Sequence, residues 1–436
     1  MKHWFKDAHF RSLLKNSGYL GISRVVAALC GIATIALAGR GLGLLLLGTL
    51  ILITSYTKAV SGLAKFQSWQ VVVRYGGHGV ARGDPEHFKI ATGFAFSLDL
   101  VSGIAAMLVG VALLPFIAGW VGIQPQYLWL GMLYCTLLPT MGSATPSGVM
   151  RVLDRFDLIG WSDTLTPISR ALLIALAYIS GASFATYVAI WYVTDLAGDL
   201  FTWFLAWREM RRTGHLEGIR PTLRPKVLPG AWRFAIDVNL AASVQAIWGP
   251  TGRLAVGGLL GPAGAALFRI ASILADSAQR PADLLGRAFY PEVIRMDFTT
   301  KKPWKLMLRV MVFASVIAVV AIGLLLIGGK PLMGLIFGKA FVSAYKPLVI
   351  LMLIPLLGIF SFPLTPMLYS LGRSDGPLKA KLIGSAAFFG TIAPLCWTFG
   401  VTGAAIALVI GNAANVLTML IQLRGEHSRV RKPVES

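Results

Sequence analysis

Long apolar runs, separated by short polar or basic stretches, dominate the chain. A helix needs roughly 20 apolar residues to cross the bilayer core. Twelve segments meet that length, near residues 18–38, 41–63, 90–113, 127–149, 163–180, 184–206, 234–257, 262–285, 306–327, 346–369, 380–399 and 401–422. Gly39-Arg40-Gly41 and Gly400-Val401-Thr402-Gly403 read as tight turns between neighbouring spans, because Gly both ends helices and fits turns. The pattern predicts an all-α polytopic membrane protein. Residues 1–17 are basic and mixed. No small-residue cleavage site follows a short apolar core, so no signal peptide is expected.

The longest polar connection, residues 207–233, is basic and carries Pro221, Pro225 and Pro229. It divides the spans six and six. The expected organisation is an N-terminal six-helix lobe over 1–206, a basic cytoplasmic linker over 207–233, a C-terminal six-helix lobe over 234–422 and a cytoplasmic tail over 423–436. The halves share a faint likeness. Leu42-Gly43 ends the run from Gly39, and Leu260-Gly261 ends the run from Gly257, 218 positions later and half the chain length away. Six spans per half make such a repeat parallel, with its pseudo-axis along the membrane normal. Two six-helix lobes rocking around a central cavity are a transporter architecture.

Composition sharpens this picture. Of 436 residues, 56% are apolar and 14% charged, whereas a soluble domain has about 25% charged residues. Mean hydropathy is +0.70. A soluble enzyme and a DNA-binding module are both excluded on that ground. The 40 Lys+Arg against 19 Asp+Glu give a net charge of +21. Sorted by loop, 29 basic residues fall on one side of the twelve spans and 4 on the other. The positive-inside rule then puts both termini in the cytoplasm. Seven basic residues remain inside spans or at their edges: Arg24, Lys58, Arg170, Arg253, Arg269, Arg280 and Arg309.

An ionisable group at the bilayer centre costs at least about 2.5–3.5 kcal/mol, and such groups face a bundle interior or a wet cavity. In the eighth span Arg269, Ser272, Asp276, Arg280, Asp283 and Arg287 form one polar stripe. Asp276 and Arg280 suit an i,i+4 pair, which leaves Arg269 with spare positive charge. The fifth span carries Asp163, Thr166 and Arg170, and the sixth has Asp195 and Asp199 on one face. Asp99 lies in the third span. Gly249-Pro250-Thr251-Gly252 precedes Arg253 in the seventh span and predicts a helix break there. Several of these have a plainer reading. Arg280, Arg309, Lys58 and Asp163 lie near span ends and can snorkel. Asp195 and Asp199 can neutralise Arg170 and Arg208.

The excess of Arg over acid predicts an anionic cargo, since guanidinium forks grip phosphate bidentately. Arg24, Arg253 and Arg269 are expected to hold its head group. Arg170, Arg280, Lys58 and Arg74 are expected to help at the cytoplasmic mouth, while Asp99, Asp195, Asp199 and Asp276 tune the field or couple an ion. The six histidines fall in loops and tails, and Cys30, Cys135 and Cys396 sit singly in apolar spans. No disulfide or zinc spacing exists. The run Gly334 to Lys339 is one residue too short for a Walker A loop and lacks its Ser/Thr. No cofactor is expected. Drive would come from an ion such as Na+ or H+, the membrane potential, or consumption of cargo.

Four segments carry a family resemblance. They are Gly62-Leu63-Ala64-Lys65-Phe66-Gln67-Ser68-Trp69-Gln70 with the following Val71 to Gly76, Arg151-Val152-Leu153-Asp154-Arg155-Phe156-Asp157, Phe337 to Ala344, and Gly400 to Ala405. With them the chain resembles the O-antigen and exopolysaccharide flippases of the multidrug/oligosaccharidyl-lipid/polysaccharide exporter superfamily. The resemblance implies a V-shaped central cavity, alternating access and a polyprenyl-pyrophosphate-linked oligosaccharide as cargo, crossing the bacterial inner membrane in polysaccharide or lipopolysaccharide biosynthesis. It also implies a basic residue in the first span and others in the seventh and eighth, the spans of Arg24, Arg253 and Arg269. Membrane lipids, with a polysaccharide polymerase or glycosyltransferases, are candidate partners; nucleic acid is not. The rivals are a cation-coupled drug antiporter of the same superfamily, a membrane polymerase or ligase, and a scaffold. The longest stretch opposite the cytoplasm, about residues 328–345, is apolar with three Lys and is poor material for an active site, so no enzyme is expected.

Overall fold

A computed structural model describes residues 8–81, 84–142, 144–294, 302–361, 364–370 and 375–430. The described residues are helical, with no strand among them. They form two compact units. One comprises Met1–Leu42 and Ile53–Thr251, the other Gly43–Leu52 and Gly252–Ser436.

The first two expected spans share one helical run, α1 (Ala8–Ala64), broken by non-helical geometry at Gly43 (φ 72, ψ −177). The expected turn at Gly39-Arg40-Gly41 is instead helical, and the chain redirects at Gly43. The seventh and eighth spans repeat this arrangement. Helix α10 (Gly252–Ile294) is broken at Gly261 (φ 72, ψ −178). This region of backbone space is open almost only to glycine. The same conformation recurring at Leu42-Gly43 and Leu260-Gly261 gives the faint sequence repeat a physical basis.

Between them lie α2 (Ser68–Val71), a π-turn over Val72–Gly76, α3 (Gly77–Ala81) and α4 (Pro85–Val121). Asp84 caps α4 by accepting the Glu86 amide at 3.0 Å, and Gly122 (φ 82) ends it. The expected fourth span is two pieces, α5 (Leu128–Cys135) and α6 (Ala144–Val152). Turns separate them where Pro139 removes a donor, and the Leu137 carbonyl accepts both Thr140 and Met141 amides, at 3.0 and 2.8 Å. Helices α7 (Phe156–Ile179) and α8 (Phe184–Arg212) follow, then α9 (Ala231–Ala246). After α10 come α11 (Lys302–Phe337), α12 (Tyr345–Leu351), α13 (Leu353–Ser361), α14 (Leu364–Ser370), α15 (Gly376–Phe399) and α16 (Val401–Val430). The tenth expected span is thus the three pieces α12 to α14. Pro347, Pro355 and Pro366 each occupy the third position of a piece. The amides of a first turn have no intrahelical acceptor, so proline there starts a new helix without losing a bond.

Part of the basic stretch 207–233 packs against its own unit. Leu228 and Ala231 are buried against Val71, Ala91, Phe94 and Leu98. Trp232 packs edge-on against Phe66 and Phe94, and its indole N–H donates to the Leu223 carbonyl at 2.9 Å. A second core of this unit joins Val72, Phe88, Val149, Met150, Leu158 and Leu205. In the other unit Leu364, Met367, Leu368, Ala380, Val416 and Met419 form a buried cluster. Phe116, Trp120, Leu172, Leu176, Ile179 and Trp397 are exposed. Apolar exposure on this scale belongs to a surface facing lipid. The chain is an all-α polytopic membrane protein.

Small residues set the closest approaches, as in membrane helix packing generally. Within the second unit, a Cβ at Gly48 would run into the backbone carbonyl of Pro262. Gly48→Val is therefore expected to destabilise the protein by about 2 kcal/mol, read as a lower melting temperature in detergent. An unchanged melting temperature would contradict that packing.

Candidate functional site

In the first unit, Asp99 of α4 is buried, 4% exposed. Its Oδ1 accepts from Ser68 Oγ at 2.6 Å, and its Oδ2 accepts from the Thr145 amide at 2.9 Å and Thr145 Oγ1 at 2.7 Å. Asp99 therefore caps the start of α6 and pins α2 to it. Lys65, counted above among loop charges, is buried instead and donates from Nζ to the carbonyls of Pro139, at 3.5 Å, and Met141. It thereby fastens the interrupted fourth span. Two of the four segments that carry the resemblance also meet: the Arg151 guanidinium stacks 4.5 Å over the Trp69 ring.

Arg170 and Asp195 face each other across α7 and α8, where Gly198 leaves room for Thr166. Arg170 donates from Nε to Thr194 Oγ1 at 2.8 Å and from Nη2 to Asp195 Oδ1, and Tyr134 OH donates to Asp195 Oδ2. The guanidinium also lies 5.4 Å over the Trp191 ring. Lys58 acts electrostatically on Asp195, and Asp199 on both Tyr134 and Lys65. Lys58, Lys65 and Arg170 thus balance Asp99, Asp195 and Asp199. The sequence pointed to Asp195 beside Arg170 but missed Tyr134, Lys65, Ser68 and Thr145. Tyr134 left one signal: a phenol in an apolar span needs a partner.

Arg24 is exposed, and it acts with Arg151 on Asp163. Arg74 sits in the π-turn over Val72–Gly76, exposed, 4.4 Å over the Phe234 ring and 5.6 Å over Tyr75.

In the second unit, two basic residues interact with one acidic residue. A π-turn over Ile247–Thr251 containing Pro250 replaces regular helix, and α10 begins at Gly252. The break expected before Arg253 is present. Single π-turns inside helices are frequent at functional sites. Arg253, at the start of α10, and Arg269, four to five turns on, interact electrostatically, and Asp276 acts on both. The kink at Gly261 lies between them. Ser272 turns inward to its own helix, donating to the Phe268 carbonyl at 2.6 Å. Among the described residues, two guanidinium groups interact here with the one carboxylate of Asp276. The side chain of Arg280 lies outside the described residues, as do those of Asp283, Arg287 and Arg309.

No family model matches the chain. It is 41% identical over 347 residues to the inner membrane protein YghQ of Escherichia coli strain K12, across 79% of this chain and 98% of that one. Among solved structures it is similar to the inward-facing conformation of a multidrug resistance MATE family transporter of the MOP superfamily, with TM-score 0.69 and 15% identity over 93% of this chain and 96% of that one. It is also similar to the lipid II flippase MurJ in its inward closed conformation, with TM-score 0.68 and 12% identity over 93% and 87%. At such identities both likenesses establish the fold.

Proposed function

Because this chain belongs to the family of the Escherichia coli inner membrane protein YghQ and has the fold of MOP superfamily transporters, we propose that it is an inner-membrane flippase for a polyprenyl-pyrophosphate-linked oligosaccharide. The cargo would be an O-antigen or exopolysaccharide repeat unit moving from the cytoplasmic to the periplasmic leaflet. Both termini would lie in the cytoplasm. The observation that carries this reading is the coupling of Arg253 and Arg269 with Asp276, two cations to one anion among the described residues of α10. An anionic pyrophosphate is attracted to such a cluster, whereas an organic cation would be repelled by it. In this reading Arg24, Lys58, Arg74, Arg170 and Arg280 contact the head group at other points of its path. Asp195, Asp199 and Asp276 tune the field or couple an ion, Na+ or H+.

The second reading is a cation-coupled drug antiporter, which shares the fold. The part-buried carboxylate of Asp195 and the buried one of Asp99 are its supporting observation. The two separate in proteoliposomes. Efflux of an organic cation driven by an imposed Na+ or H+ gradient is expected to be absent. Gradient-driven efflux, with no movement of lipid-linked oligosaccharide, would give the antiporter reading the protein.

A further inference from the structure

The segment Arg151 to Asp157, distinctive in the sequence, has a part that the transport reading does not use. It forms the tight connection between α6 and α7, and Asp154 adopts φ 55. Asp154 is the sole residue other than glycine with positive φ among the described residues, and such backbone is retained where surrounding structure demands it. The turn delivers Arg155 to the C-terminal end of α8. There Arg155 donates from Nε and Nη2 to the Asp157 carboxylate, at 3.0 and 2.8 Å, which holds that carboxyl below the usual carboxylate range. Its Nη1 lies 2.6 Å from Glu209 Oε2. Arg212 donates to Glu209 Oε1 from Nη2 at 2.7 Å and from Nε at 3.2 Å. Glu209 is 1% exposed. One buried carboxylate therefore fixes two guanidinium groups.

Around them opens a pocket of about 400 Å³ lined by Arg155, Arg208, Glu209, Arg211 and Arg212. Arg208 and Arg211 are exposed, and among the described residues no carboxylate pairs with either. Four arginines against Glu209 and the Asp157 that pairs with Arg155 leave a positive concavity. A charge bias that only sets topology needs cations in a loop. It has no need of a buried carboxylate orienting them. Trp207, half-exposed and 5.6 Å from the Arg211 guanidinium, is the kind of residue that sits at the lipid–water boundary.

We propose that this pocket is a binding site for a phosphate-bearing anion, held by Arg208 and Arg211 over the Arg155–Glu209–Arg212 platform. The same chemistry is offered by the head group of an anionic phospholipid and by a soluble phosphate compound. The inference needs binding only and stands whether or not the chain is a flippase.

The test uses the full chain in phosphatidylcholine nanodiscs. In one arm inorganic pyrophosphate is titrated by calorimetry; in the other, phosphatidylglycerol is included and retained lipid is counted by native mass spectrometry. Wild-type protein is expected to bind in at least one arm, and R208Q/R211Q to bind there at least roughly tenfold more weakly. Retention of phosphatidylglycerol without pyrophosphate binding assigns the lipid source, and the reverse assigns the soluble one. Neither substituted residue holds Glu209, so the platform persists in the variant. A readout on wild-type protein removes dependence on the variant's folding. Phenylglyoxal labelling of Arg208 and Arg211, followed by peptide mass spectrometry, is expected to fall when the bound anion is present. Equal binding by wild type and variant in both arms, or labelling that neither anion changes, would overturn the proposal.

Discussion

On the flippase reading, Arg269→Glu is expected to reduce surface delivery of polysaccharide by at least roughly a hundredfold while leaving folded protein in the membrane at the wild-type level. A charge-assisted hydrogen bond contributes about 1.5–3 kcal/mol, and a bidentate phosphate contact comprises two. Reversal also changes the sign of the cluster. Arg253, Arg269 and Asp276 act on one another, so two cations against one anion become one against two. Repulsion of pyrophosphate then adds to the lost contacts. The inserted glutamate has Arg253 beside it, which limits the damage to folding. Arg269→Lys keeps charge but not the planar fork, and an intermediate loss of about tenfold is expected. Surface polysaccharide in cells carrying each variant, normalised to membrane-extracted protein, measures this. Full delivery by Arg269→Glu would remove Arg269 from the site.

Asp99→Ala is expected to lower stability by about 3 kcal/mol, near the low end for removing one partner from a buried ionic network. Three donors converge on that carboxylate: Ser68 Oγ, Thr145 Oγ1 and the Thr145 amide. Removing it leaves all three without their acceptor and takes the cap off α6. Ser68→Ala deletes one bond and should lower stability by about 1 kcal/mol. Thermal unfolding in detergent, followed by fluorescence of a size-exclusion peak, distinguishes the two. An Asp99→Ala protein with wild-type thermal stability and no transport would give Asp99 a coupling role instead of an architectural one.

The helical architecture was legible because bilayer thickness dictates length. Its interruptions were less so. The Leu-Gly repeat marked both redirections, yet the first lies at Gly43 rather than at Gly39-Arg40-Gly41, since glycine density alone does not say which glycine takes positive φ. The break before Arg253 was legible from Gly249 and Pro250, because proline removes a helix bond wherever it stands inside one. The division of 127–149 and 346–369 into shorter helices was hidden by uniform apolarity, although Pro139, Pro347, Pro355 and Pro366 mark it in retrospect. At the level of chemistry, spacing alone revealed Arg269 and Asp276 on one stripe. It paired Asp195 with Arg170 only as one reading among several. Lys65 follows a span and so reads in the sequence as a solvated loop charge. Its burial depends on the carbonyls of Pro139 and Met141, which lie far along the chain. Long-range partners of that kind leave no periodic trace.

The most direct measurement is transport by the purified chain alone. Protein reconstituted into liposomes with a fluorescent polyprenyl-pyrophosphate oligosaccharide is challenged by a membrane-impermeant quencher, with wild type and Arg269→Glu side by side. Protein-dependent access to the inner-leaflet label, present with wild type and lost with Arg269→Glu, is the expected result. No access above protein-free liposomes, under a Na+ gradient, an H+ gradient or a membrane potential and with the protein shown to be folded, would contradict the flippase reading.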